Sequence, residues 1–166
     1  MQTINLKPVR NQCSVLVIED EPLVGFDLVE TLNDHGFRAD GPARSVEQAY
    51  QFIDSLDPAI CILDVNLAGH ETSMPIATRL TEENRCFVFL TGYSAGGTPE
   101  LDAFPDIPRL SKPVDETALI EMLDRLCPTE NDETAKSLST SGAENAANLD
   151  ALSRPPHGSE PTPDGN

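Results

Sequence analysis

Four sets of residues could do chemistry together, and each closes an apolar run. Asp64 follows Ala59-Ile60-Cys61-Ile62-Leu63, Glu19-Asp20-Glu21 follow Cys13 to Ile18, Thr91-Gly92 follow Cys86 to Leu90, and Lys112-Pro113 follow Ile107 to Leu110. If Glu19, Asp20 and Asp64 meet, their charges repel one another unless a hard cation shares them. Mg2+ suits such a set because it takes a few oxygen ligands, keeps several waters and accepts a phosphate oxygen. A carboxylate beside that ion attacks a phosphoryl group to give an acyl phosphate. The Lys112 ammonium and the Thr91 hydroxyl would then stabilise charge on the transferred oxygens, and Gly92 keeps the approach open. Each residue also has a plainer reading. Asp20 or Glu21 can cap a helix whose first turn holds Pro22, Asp64 and Thr91 can be turn residues, and Lys112 can be a solvated lysine before a proline. Four chance placements at the ends of apolar runs are harder to accept than one site.

The runs themselves have strand length: Cys13 to Ile18, Phe37 to Ala39, Ala59 to Leu63, Cys86 to Leu90 and Ile107 to Leu110. Helical spacing fills the intervals, with Val24, Leu28 and Leu32 in the first and Val46, Ala49, Tyr50 and Ile53 in the second. Gly36 and Gly41-Pro42 punctuate the flanks. Ile76 and Leu80 mark a weaker third helix, Pro99 to Phe104 an irregular turn, and Leu119, Leu123 and Leu126 a last helix stopped by Pro128. Strands alternating with helices predict an α/β fold, a five-stranded parallel sheet with helices on both faces. In the flavodoxin-like order 2-1-3-4-5, ligands bind at the carboxyl ends of strands one and three, which places Asp20 beside Asp64.

Composition narrows the partners. The chain has 166 residues and a formal charge of -17, with acids in excess both before and after residue 127. Nucleic acid and anionic membrane surfaces are repelled by such a field, whereas divalent cations and basic protein surfaces are attracted. No signal sequence or membrane-length apolar window is present, so the expected location is the cytoplasm. Cys13, Cys61, Cys86 and Cys127 lie in or beside apolar runs without C-x-x-C spacing, and they read as reduced core residues. Residues 1–12 read as a leader, 13–127 as one domain, and 128–166 as a disordered acidic tail, because Leu138, Leu149 and Leu152 bury too little surface to offset ordering entropy.

Val15 to Glu21 (VLVIEDE), Cys61 to Asp64 (CILD), Phe87 to Tyr93 (FVFLTGY) and Leu110 to Val114 (LSKPV) resemble, in order and spacing, the receiver domain of two-component response regulators. The resemblance implies Asp64 as phosphoacceptor, Glu19 and Asp20 at a Mg2+ site completed by the backbone carbonyl of Asn66, Thr91 as switch hydroxyl and Lys112 on the phosphate. Arg109 stands where most receivers carry an aromatic switch, and Ala68 where many have proline. The string FLTGY is similar to the FATGY-like ending of stand-alone receivers that lack that aromatic and work with HWE-type histidine kinases. Tyr93 is then a candidate to replace the missing ring, and Arg109 a second switch candidate.

On the first helix, Pro22, Phe26 and Val29 project away from the Val24-Leu28-Leu32 stripe. An apolar face there suits the helical histidine-bearing domain of a kinase or phosphotransferase, unless Ile4, Leu6 and Val9 of the leader cover it. The implied function is a single-domain response regulator, phosphorylated on Asp64 and acting through an unknown downstream protein or as a phosphate sink. It is a signalling domain, not an enzyme, apart from Mg2+-dependent phosphorylation and dephosphorylation of itself. A phosphorylation-independent interaction module is the alternative. A dehalogenase-type phosphatase would carry its nucleophile in a D-x-D pattern after the first strand, and FMN phosphate would be repelled by the acidic first loop.

Overall fold

The computed structural model describes residues 10–92 and 99–127. Within them the chain runs β1 (Ser14–Ile18), α1 (Pro22–Asp34), β2 (Arg38–Ala43), α2 (Val46–Leu56), β3 (Ile60–Asp64), α3 (Met74–Glu82), β4 (Cys86–Thr91), β5 (Arg109–Ser111) and α4 (Glu116–Leu126), with three short 3-10 turns at Arg10–Gln12, Ala68–His70 and Pro99–Ala103. The strands form one sheet in the order β2-β1-β3-β4-β5, and every pairing is parallel. The predicted fold class is the observed one.

Period-two alternation explains why the central strands read as unbroken apolar runs. Leu16, Ile18, Cys61, Leu63, Phe87 and Phe89 face one side and pack with Ala49 and Ile53 of α2 and Ile76 and Leu80 of α3. Val15, Val17, Ile60, Ile62, Val88 and Leu90 face the other and pack with Leu28 and Leu32 of α1 and Leu119 and Leu123 of α4. A strand covered on both faces has no polar side to show.

β2 differs from the sequence expectation, continuing through Gly41-Pro42 to Ala43. As an edge strand it tolerates a residue without an N–H, and the pairing with β1 shifts register between Leu16 and Ile18. A Cβ on Gly41, at φ +117°, would stand 2.5 Å from the Val17 carbonyl oxygen, so glycine lets the two strands close here. β5 lies slightly later in the chain than the apolar run suggested, at Arg109–Ser111.

The cysteines require a correction. Cys13 and Cys127 are joined in a disulfide with Cα atoms 5.8 Å apart, and Cys86 is exposed; Cys61 is the buried free thiol. The two bonded residues are 114 positions apart, and the fold brings the start of β1 to the end of α4, which no local spacing could disclose. Arg10, expected in the leader, also joins the domain through Asp124, at 2.5 and 2.7 Å. Residues 1–9 of the leader, the tail from 128 onward and Tyr93 lie outside the described residues.

Candidate functional site

β1 and β3 lie side by side, with Ile18 paired to Leu63, so the residues that follow each strand meet at one edge of the sheet. Glu19 is held by its backbone N–H, which donates to the Ala43 carbonyl at 2.9 Å. Its side chain turns inward and is fully buried. One oxygen accepts from the Glu21 N–H at 3.1 Å. Capping of α1 by Asp20 or Glu21 is therefore not what the structure has: Glu21 occupies the cap position without a side-chain bond, and Glu19 accepts the Glu21 amide instead.

Asp64 ends β3 and is 5% exposed. Lys112, which follows β5, bridges it to Glu19: Lys112 Nζ donates to Glu19 Oε2 at 2.6 Å and to Asp64 Oδ2 at 2.9 Å. Lys112 is itself tied to β4, its N–H donating to the Thr91 carbonyl at 2.8 Å. Glu19, Asp20 and Asp64 each offer a carboxylate oxygen within 4.8 Å of the other two, an arrangement able to hold a cation. Oxygen ligands at that spacing favour a hard ion.

The electrostatics reflect crowding. Burial pushes the Asp64 carboxyl above its ordinary pKa of 3.8, opposed by hydrogen bonding from Lys112 and from the Asn66 backbone amide. Burial likewise raises Glu19 against the bond from Lys112. Desolvation works against the Lys112 ammonium, but its bonds to Glu19 and Asp64 prevail and lift its pKa. One ammonium thus serves two enclosed carboxylates.

Thr91 closes β4 one residue after Leu90, the partner of Asp64 across the β3–β4 pair. Its hydroxyl lies 3.4 Å from the Leu110 carbonyl, to which it donates. Asn66 is exposed and bridges to Thr72 in the loop after β3. Arg109 points away from the carboxylates, and its guanidinium donates to the Leu101 and Phe104 carbonyls at 2.7 and 3.2 Å. It fastens the connection from β4 to β5, while Phe104 packs edge-on against Phe87 and Phe89.

The proposed partner face is only partly as expected. Phe26 is 60% exposed and Pro22 is exposed, but Val29 is half-buried against the core. Leu23, which sequence reasoning missed, is 85% exposed. At 100° per residue it lies about 140° from Leu28 and about 180° from Leu32, so helical periodicity held the signal. Beside it runs a groove between α1 and the start of α4, lined by Leu23, Val24 and Leu28 on one side and Pro113, Val114 and Leu119 on the other, and reaching Lys112 at the site.

No family model matches the chain. Among solved structures, SdrG from Sphingomonas melonis Fr1 is 32% identical, with 69% of this chain and 95% of SdrG covered and a TM-score of 0.58. The PhyR response regulator REC domain of Erythrobacter litoralis, 24% identical, shares the fold over 69% of this chain and 88% of its own, with a TM-score of 0.57. The positive alginate biosynthesis regulatory protein of Pseudomonas aeruginosa is 28% identical over 147 residues, 86% of this chain. The chain spans about half the length of that curated relative, 52%. Among the described residues no helix is long and apolar enough to cross a membrane.

Proposed function

This chain belongs to the response-regulator receiver-domain family, and from that premise we propose that it is a phosphoacceptor in a two-component phosphorelay. Asp64 takes a phosphoryl group from the histidine of a kinase or phosphotransferase, and the modified domain acts through protein contacts or as a phosphate sink. In this proposal the receiver unit spans residues 13–127, between a leader and a tail, and works in the cytoplasm. The observation that carries it is Lys112 Nζ held between Asp64 and Glu19 at the sheet edge.

An Asp64 carboxylate oxygen attacks phosphorus, and the histidine nitrogen leaves with the bonding pair. Lys112 already lies within bonding distance of Asp64, so its charge is in place for the incoming phosphoryl oxygens. The Thr91 hydroxyl exchanges the long contact to the Leu110 carbonyl for a phosphate oxygen, and this rearrangement biases the adjoining backbone. Arg109 and Tyr93 are the remaining switch candidates. Glu19, Asp20, Asp64 and the Asn66 carbonyl would hold Mg2+, whose charge offsets that of the transferred group when bound. Leu23, Phe26 and Pro22, beside the groove that leads to Lys112, offer an apolar seat for the helices of a histidine-bearing domain.

Intact mass after incubation with acetyl phosphate and Mg2+ tests the reading. The parent should gain one phosphoryl group and Asp64→Asn none. If neither acetyl phosphate nor candidate kinases modify the parent, the phosphoacceptor reading falls in favour of a phosphorylation-independent interaction module.

A further inference from the structure

Three attachments tie α4 to the N-terminal half of the domain. Cys127, immediately past its last turn, is bonded to Cys13 at the start of β1. Asp124, one turn earlier, accepts both hydrogen bonds from Arg10, and Arg10 also stands over the Phe37 ring at 5.5 Å and donates to the His35 carbonyl. His35 Nε2 in turn faces Glu116, in the first turn of α4, at 3.2 Å. The first attachment is covalent and answers to redox conditions, whereas the other two do not. α4 is also a wall of the groove beside α1, to which it contributes Glu116 and Leu119.

We propose that Cys13 and Cys127 are a reversible thiol–disulfide pair that fastens α4 when oxidised and loosens this wall of the groove when reduced. The co-reactant is a small-molecule disulfide of the glutathione class. One thiolate of the pair attacks a sulfur of that disulfide, forming a mixed disulfide and expelling one small thiol. The second thiolate attacks the protein sulfur of the mixed disulfide, closing the Cys13–Cys127 bond and expelling the second small thiol. The protein pair loses two electrons, the small disulfide gains two, and the two cysteine protons leave on the released thiols. Two molecules of the reduced small thiol reverse the exchange. Cys61 is a free thiol within β3 and Cys86 an exposed free thiol at the start of β4; Cys13 and Cys127, themselves 1% and 4% exposed, meet the small disulfide when the last turn of α4 opens.

The consequence is local to α4. With the bond open, the helix retains Leu119, Ile120 and Leu123 in the core and its two ion pairs. It loses the link that closes 114 residues of chain, a cross-link long enough to remove much freedom from the unfolded state.

The chain should be equilibrated in glutathione buffers running from oxidised to reduced, then denatured, alkylated and weighed. In the Cys86→Ser chain, which lacks the exposed free thiol, one cysteine should be alkylated at the oxidised end and three at the reduced end. Amides of Ile120 to Leu126 should exchange hydrogen at least about ten-fold faster in the reduced form, while Ile60 to Leu63 stay unchanged. The Tm should fall by roughly 10 °C on reduction. Cys127→Ser and Cys127→Ala, at the helix end, should match the reduced parent in both buffers. Three alkylated cysteines at the oxidised end in the Cys86→Ser chain would overturn the proposal, as would one in every buffer, which describes a permanent cross-link. Equal α4 exchange in the two redox forms would overturn it as well.

Discussion

At the scale of single residues, the site is an ammonium between two carboxylates that burial disfavours. A carboxyl whose pKa is higher in the folded than in the unfolded chain contributes stability that is fully present below its unfolded pKa and lost as pH rises through the folded value. Asp64 and Glu19, both raised by burial, therefore favour the fold least at neutral pH when no cation is added. Asp64→Asn should be more stable than the parent at pH 7 in metal-free urea titrations, and its advantage should shrink as pH falls toward about 4. An advantage independent of pH would contradict this account. Lys112→Ala leaves both acids without their ammonium and should cost about 2 kcal/mol at pH 7. Lys112 has the same sense in a higher window: its raised pKa keeps its contribution through neutral pH, with loss as pH rises through a value above 10.5.

At the scale of elements, the site depends on how closely α1 and β2 approach β1. Gly25 is the contact point, for a Cβ there would stand 2.5 Å from Pro42 Cβ and 2.7 Å from Pro42 Cγ, with Glu19 Cβ at 3.4 Å. Alanine favours a helix interior by about 1 kcal/mol over glycine, but overpacking against a rigid proline ring costs about 1–3 kcal/mol. Gly25→Ala should therefore destabilise by about 1 kcal/mol in denaturant titration. Because relief of the clash displaces α1 from Pro42 and Glu19, phosphorylation of Asp64 by acetyl phosphate should slow as well. At the far edge, Arg109 takes the end of the Pro99–Ala103 turn by its carbonyls. A phenylalanine at that position could pack but could not donate those bonds, and a tyrosine could donate only one.

For the whole molecule, charge and exposed apolar surface are the features on which the proposed docking rests. A chain of net charge -17 that presents Leu23 at 85% and Phe26 at 60% exposure suits a protein surface with an apolar centre and a basic rim. Phe26→Asp should slow phosphoryl transfer from a partner kinase at least about ten-fold and leave the reaction with acetyl phosphate unchanged; equal rates from the kinase would remove the docking face. The sheet, its order and the meeting of Glu19, Asp20, Asp64 and Lys112 were legible in the sequence. Apolar runs with site residues at their ends leave few topologies open, and parallel crossovers bring the carboxyl ends of the strands to one edge. Tertiary structure alone decided the pairing of Cys13 with Cys127, the inward turn of Val29, the extension of β2 through Pro42 and the grip of Arg109 on Leu101 and Phe104. Those contacts join positions that local periodicity does not relate, and they arise only after the packed core has brought distant segments together.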